Sequence, residues 1–186
     1  DIYDDSLWLI NLVENLLAVT RLEEGKMNMN LTTELVGDVI TEALKHVHTK
    51  GEKQKITVIQ PDDLLLAKMD ARLIVQVLIN LLDNAVKYTP SDSQITITAK
   101  RDGKMVSVSV ADNGNGIADE QKSRVFDMFY TGANKIADSR RSIGLGLSLC
   151  KSIINAHGGE ITITDNVPHG AIFTFTLPVG EVKINE

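Results

Sequence analysis

Three short clusters in this sequence have residue types and spacing suited to chemistry. In the first, Asn80, Asn84 and Lys87 stand at i, i+4 and i+7, which on a helix places them on one face. Asn is a mediocre helix former, so two of them in mid-helix carry a small local cost. As a solvated polar face they would do nothing further. Facing a ligand, their amide oxygens suit Mg²⁺, a hard cation that takes oxygen ligands, keeps waters and is shared with nucleotide phosphates. Lys87 would add a point positive charge beside those phosphates.

The second cluster is Asp112-Asn113-Gly114-Asn115-Gly116-Ile117. Two glycines two apart let a backbone approach a ligand closely. An acid at a strand end can accept from an amino group such as the exocyclic amine of adenine. Without a ligand, the same stretch is an ordinary strand-to-helix turn. It is no dinucleotide fingerprint, because the third glycine would fall on Asp119, and no EF-hand loop, because Gly114 occupies a ligand position.

The third is Gly144-Leu145-Gly146-Leu147-Ser148, opening a helix. Free N–H groups and the positive dipole end make such a start a phosphate seat, although a simple hinge would look the same. No Gly-Lys-Ser/Thr follows, so this is not a Walker A loop. Between the second and third clusters lie Phe126 and Phe129 at i, i+3, then a polar stretch with Lys135, Arg140 and Arg141. The phenylalanines read as a core anchor for one end of a lid, whose basic residues could close over phosphates and exclude water.

Positioning these clusters requires a scaffold, and hydrophobic periodicity outlines one. Residues 3–24 form an amphipathic helix, with Leu9, Val13, Leu16 and Thr20 at heptad-like spacing and Ile10, Leu12 and Leu17 widening the stripe. It either packs on its own domain or is half of a helical hairpin that dimerises; the wide apolar surface favours the hairpin. Residues 33–49 read as a second helix, 55–60 as a strand with 64–69 as its hairpin partner, and 71–88 as the clearest helix. Residues 95–99 and 106–110 alternate strictly, with Asp102-Gly103 as a hairpin signal between them. A short helix at 119–126, a mobile loop at 130–143, a helix at 145–156 and strands at 161–164 and 171–177 complete the reading. Hairpins with helices between them imply an α+β fold: a two-layer sandwich of helices on a mixed, mostly antiparallel sheet. The regular βα alternation of a doubly wound sheet is missing.

Composition narrows the function. The chain has 186 residues, 43% hydrophobic, 4% aromatic, and net charge −6. That is enough apolar content for a core, too few aromatics for an RNA-stacking platform, and a charge opposed to nucleic-acid binding. The single cysteine, Cys150, cannot form an internal disulfide and reads as core. No run of about 18 apolar residues occurs, so no membrane contact is expected. The opening Asp1-Ile2-Tyr3-Asp4-Asp5 is no signal peptide and lacks an initiator Met, so the chain is expected to be a piece of something longer. His46 and His48 are two apart, but no third metal ligand is near. His157 beside Gly158-Gly159 reads as a helix C-cap contact.

Read in order, the clusters resemble the nucleotide-binding domain of sensor histidine kinases across nearly the whole chain. Asn80-Leu81-Leu82-Asp83-Asn84-Ala85-Val86-Lys87-Tyr88 is similar to that family's N box, and Asp112 to Gly116 to its first glycine box. Phe126 to Phe129 resembles its F box, and Gly144 to Leu147 its second glycine box. The opening helix, ending in Leu16 to Gly25, looks like the second helix of the dimerisation hairpin. Residues 129–134 and 138–142 are most similar to the potassium-responsive KdpD-type subgroup. The resemblance implies a Bergerat-type ATP fold with residues 1–28 as an incomplete hairpin and 29–186 as the ATP-binding domain.

By the same resemblance, Asn84 holds Mg²⁺ with Asn80 one turn upstream, Lys87 meets phosphate and Tyr88 packs on adenine. Asp112 accepts from the adenine amine, Gly114, Gly116 and Ile117 shape the turn, and Lys135, Arg140, Arg141, Gly144, Leu145, Gly146 and Leu147 surround the triphosphate. Hydrolysing members of the superfamily carry Glu where this chain has Asn80, which cannot take a proton at neutral pH. Transfer to a neutral imidazole is thereby favoured over hydrolysis. The implied partners are the chain's own phosphoacceptor helix in a homodimer and a response regulator, with no nucleic acid. The implied setting is the cytoplasmic part of a membrane-anchored bacterial kinase.

The sequence departs from the family's pattern at Asn115 for Pro, Thr131 for Arg and Ala171 for a hydroxyl residue, and no histidine lies in the opening helix. Trp8 is expected to contact the absent first hairpin helix. Two other functions stay open: a non-catalytic nucleotide-sensing module, and an ATPase using Asp83 as its base. Asp83 points about 100° from Asn84 on the helix.

Overall fold

The structure, a computed structural model, describes residues 2–25, 28–127, 130 and 146–182. Apart from Tyr130, the expected lid at 130–143 lies outside the described residues, with its Lys135, Arg140 and Arg141, as do Phe129, Gly144 and Leu145 and the side chains of Trp8 and Leu12.

Strict alternation of β-branched residues produces the central hairpin. β4 (Gln94–Asp102) and β5 (Met105–Asp112) pair antiparallel, with Ile97 opposite Val110. Their turn uses Gly103 at φ 61°, a backbone region that costs glycine little. Together with β2 (Lys55–Ile59), β6 (Ile161–Asp165) and β7 (Ala171–Pro178), they form a sheet in the order β2-β4-β5-β7-β6. Only β2 and β4 run parallel within it. Ile95, Ile97, Val106, Val108, Val110, Phe173, Phe175 and Leu177 point from one face and are buried.

α3 (Ala71–Lys87) and α5 (Gly146–Ala156) supply buried side chains to the same core: Ile74, Leu78, Leu81 and Leu82 from one, Ile153 and Ile154 from the other. The expected α+β architecture is the one observed. Truncating a side chain such as Leu78, 1% exposed, costs about 2–5 kcal/mol through lost transfer energy and the cavity left behind.

The expected helix over 33–49 divides. Thr32–Leu35 is a strand, β1, and the helix α2 runs only over Val36–Leu44. β-branched Thr32 and Thr33 pair with β3 (Leu66–Met69), and Leu35 keeps extended backbone, delaying the helix. β3 therefore pairs with β1, not with β2 as the hairpin reading required. Pro61-Asp62-Asp63 leads the chain out of the main sheet after β2, and proline contributes no ladder donor. The short helix α4 covers Asp119–Lys122, and turns continue to Phe126.

Among the described residues, α1 (Ile2–Glu23) packs on this domain through its C-terminal part. Val19 is fully buried, and Ala18 and Leu22 pack beside it. Leu9, Ile10, Val13 and Leu17 stay about half exposed, at 53%, 53%, 47% and 48%. The predicted stripe thus exists, but most of it is not packed on its own domain.

Candidate ATP site

The site is built around α3, whose two ends are held by different chemistry. At its start Asp70 is the N-cap: Oδ1 accepts from the Arg72 N–H at 3.2 Å, satisfying one orphan donor of the first turn. Asp70 Oδ2 accepts from the Asn30 N–H at 3.1 Å and the Arg72 guanidinium at 3.1 Å. Burial raises the Asp70 pKa, but these bonds outweigh it and hold the carboxyl below its ordinary value.

The Asp70 N–H donates to His157 Nε2 at 3.0 Å, so Nε2 must be the acceptor, and Nδ1–H donates to the Ile153 carbonyl at 2.7 Å. One neutral tautomer satisfies both contacts. His157 therefore does more than cap α5; it brackets the end of α5 to the start of α3. Cys150 is fully buried between these helices, 3.8 Å from the Val77 carbonyl, and desolvation pushes its thiol up to about 12.

Further along α3, Asn80 meets the start of α5. Asn80 Nδ2 donates to the Gly146 carbonyl at 3.4 Å, and its Oδ1 accepts from Gln76 Nε2 at 3.1 Å. Asn84 is half-buried one turn on. No hydrogen bond joins its carboxamide to another described residue, so among these residues its oxygen has no partner. The Lys87 ammonium lies 5.3 Å from the ring centroid of Tyr88, which is 47% exposed. Leu147 is half-buried against the core.

The acid-and-glycine turn sits beyond the last turn of α3. Asp112 Oδ1 accepts from the Gly114 N–H at 2.9 Å and the Ala171 N–H at 3.3 Å. The carboxylate is thus oriented through one oxygen, and no described residue bonds to the other. A Cβ at Gly114 would meet the Thr89 methyl at 2.7 Å. Gly116, at φ 74°, passes against the Gly170 backbone. Ile117 is half-buried against the core.

The loop between β6 and β7 completes this region. Asn166 Nδ2 donates to the Asp112 carbonyl at 2.8 Å, and His169 Nδ1 donates to the Gly114 carbonyl at 3.0 Å. A Cβ at Gly170 would fall 1.9 Å from the Asp112 carbonyl oxygen. Phe126 packs edge-on against Phe173, with centroids 6.0 Å apart.

The described members of the expected site therefore lie along two adjoining edges: Asn80, Asn84 and Lys87 on α3 with Tyr88 at its C-cap, Asn80 meeting Gly146 at the start of α5, and Asp112, Gly114, Gly116 and Ile117 in the turn. A groove of about 520 Å³ lies elsewhere, between Leu22 and Glu23 of α1 and Lys151 and Asn155 of α5. Among the described residues no group of three or more His, Cys, Asp or Glu could hold a metal. His46 instead contacts Glu42 at 3.3 Å.

Sequence reasoning missed the supports of the turn: Lys50, Gln54, Thr89, Ser93, Asn166 and Gly170. A polar residue in a loop carries no periodic signal, and Gly170 reads as an ordinary turn glycine until its neighbour is known.

Comparison with known proteins places this arrangement. Residues 69–181 match the family described as histidine kinase-, DNA gyrase B-, and HSP90-like ATPase. The chain belongs to that family, and its fold is that of its ATP-binding domain. Among individual proteins, it is 44% identical over 177 residues to Sensor protein KdpD of Clostridium acetobutylicum, covering 95% of this chain and 20% of that protein.

Two solved histidine kinases are similar in fold. Full-length ShkA in complex with AMPPNP has a TM-score of 0.79 and 28% identity, over 96% of this chain and 37% of that one. The catalytic domain of ThkA has a TM-score of 0.71 and 31% identity, over 82% and 97%. ThkA in complex with the response regulator TrrA also matches, with a TM-score of 0.69 and 28% identity, over 92% and 49%. The chain spans about one fifth of the KdpD relative's length. Among the described residues no helix is long and apolar enough to cross a membrane.

Proposed function

We propose that this chain binds ATP as its Mg²⁺ complex and transfers the γ-phosphoryl group to a histidine on a partner helix, for passage to a response regulator. In this reading residues 1–28 are the second helix of a dimerisation hairpin and 29–186 the catalytic domain, within the cytoplasmic part of a membrane-anchored sensor kinase. The observation that carries it is the Asn84 carboxamide, half-buried and without a hydrogen-bond partner among the described residues, in line on α3 with Lys87 and with Asn80, which itself donates to the Gly146 carbonyl. A neutral oxygen donor of this kind suits Mg²⁺ shared with phosphates, whose charge the ion would offset when bound.

Asn80 keeps the row oriented towards α5. Lys87, the N–H groups at Gly146 and Leu147, and the cationic side chains of Lys135, Arg140 and Arg141 would meet phosphate oxygens. Tyr88 would pack on adenine and the second oxygen of Asp112 would accept from its amine. Transfer forms an N–P bond to a neutral imidazole as the P–O bond to ADP breaks, and the imidazole proton leaves to solvent. The exposed stripe of α1 supports the hairpin: Leu9, Ile10, Val13 and Leu17 stay about half exposed among the described residues, leaving an apolar face on which other helices could seat.

Hydrolysis is the weaker reading. The Asp83 pKa is raised by partial desolvation, opposed by nearby His48, and a raised pKa suits a base. Asp83 is nonetheless exposed on the His48 side of α3, away from the amide row. Similarity to an AMPPNP-bound kinase and to one complexed with a response regulator supports transfer.

The test is calorimetric titration with an ATP analogue with and without Mg²⁺, followed by γ-labelled ATP with a separately supplied hairpin carrying the acceptor histidine. Mg²⁺-dependent binding and label on the hairpin are expected. Tight binding without transfer under any condition would favour a nucleotide-sensing module instead.

A further inference from the structure

Gln54 lies just before β2, far in sequence from the amide row and the acid turn, yet it is 3% exposed. Its carboxamide orientation follows from its neighbours. Oε1 accepts from the Lys50 N–H at 2.8 Å, while Nε2 faces the Val86 and Pro90 carbonyls at 3.2 and 3.3 Å. Carbonyls cannot donate, so the nitrogen must lie on their side. The same Nε2 is 3.0 Å from both Thr89 Oγ1 and Ser93 Oγ. Thr89 Oγ1 donates onward to the Ala85 carbonyl at 2.6 Å and lies 2.6 Å from Ser93 Oγ. No buried side-chain nitrogen or oxygen in this cluster lacks a hydrogen-bond partner, a condition under which such clusters fix one geometry.

Two routes lead from the cluster to the acid turn. The Thr89 methyl lies where any side chain at position 114 would have to go, 2.7 Å from a Cβ built there, so it sets how close Gly114 approaches α3. The 90–93 turn, held through Ser93, delivers the Gln94 N–H to Asn113 Oδ1 at 2.8 Å. Gly114 in turn donates to Asp112 Oδ1. The Lys50 ammonium adds a third tie, donating to the Lys87 and Thr89 carbonyls at 2.7 Å each, where a cation also favours the negative end of a helix.

We propose that Gln54 is a positioning residue for base selection: through Thr89 and Ser93 it sets where the Asp112 carboxylate stands relative to α3, and so which purine amine it can accept from. This rests on the ATP reading above. Gln54 acts through Thr89 and Ser93 on the base side of the site, and none of its hydrogen bonds reaches Asn84 or Gly146.

The test measures dissociation constants for ATP and GTP, with and without Mg²⁺, for the unmodified chain, Gln54→Leu and Thr89→Ser. Gln54→Leu removes the amide. Thr89→Ser keeps the hydroxyl network and removes only the methyl facing Gly114, so it reports even where Gln54→Leu does not fold. The ATP-over-GTP preference should fall about tenfold in Gln54→Leu, the scale of a misplaced contact, and by a smaller factor in Thr89→Ser. The factor by which Mg²⁺ tightens binding should stay the same. Equal weakening for both nucleotides, which is what a purely structural role produces, would overturn the inference, as would an unchanged preference in folded variants. Failure of the unmodified chain to bind ATP would overturn the ATP reading and this inference together.

Discussion

The two ends of α3 are held with equal care for different purposes. Its start is a stability device: Asp70, 97% buried as a side chain, caps the helix, binds Asn30 and Arg72, and is bracketed to α5 by His157. Its end is a positioning device: Gln54, Thr89, Ser93 and Lys50 satisfy the last carbonyls and carry that geometry to Asp112 and Gly114. Perturbing the start should lower stability without changing selectivity, whereas perturbing the end should change binding first. Between them the amide row is anchored at Asn80 and left open at Asn84. The contrast shows how one helix can be rigid overall yet keep an unsatisfied group available for a ligand.

The sharpest break in this contrast should come from Gly170→Ala. Its Cβ would fall 1.9 Å from the Asp112 carbonyl, and the backbone is at φ 116°. A loss of about 2–4 kcal/mol in urea unfolding is expected, together with loss of nucleotide binding. Asn84→Ala comes next: unfolding midpoints should not move, while the Mg²⁺-dependent part of ATP affinity falls by at least about tenfold in calorimetry. Unchanged affinity would remove Asn84 from the metal site.

Asp70→Asn tests the other end. The folded pKa of Asp70 is lowered, so its contribution is fully present above the unfolded value of about 3.9 and disappears as pH falls through the folded value. The substitution should cost about 1 kcal/mol at neutral pH and flatten the loss of stability below about pH 4, with the ATP-over-GTP preference intact. Asp112→Asn should do the reverse, weakening ATP more than GTP with little change in unfolding. The smallest effect is on Cys150, whose thiol is fully buried and pushed up to about 12. Native protein should resist alkylation at pH 8, and labelling should begin only when α3 and α5 separate, as a time course in dilute urea would show.

Much of this is legible in the sequence. Alternation at 95–99 and 106–110, the i, i+4, i+7 row on α3 and the glycine spacing at 114 and 116 are local patterns, and each led to the element that forms. The errors were non-local. Thr33 to Leu35 read as the start of a helix because Leu35, Val39, Ala43 and Val47 recur at helical spacing, but pairing with Leu66–Lys68 holds them extended. The 64–69 strand was paired with its sequence neighbour, whereas the chain carries it to a second sheet.

By itself, then, the sequence determined which side chains could share a face, because helix and strand periods are properties of the backbone alone. It also determined that the core would be aliphatic and the site rich in neutral amides. Tertiary structure alone decided that Gln54 stands behind Thr89, that His157 reaches Asp70, and that Gly170 presses on Asp112. Those contacts join residues 35, 87 and 58 positions apart, and no short-range period can encode a meeting that exists only once the sheet and helices have packed.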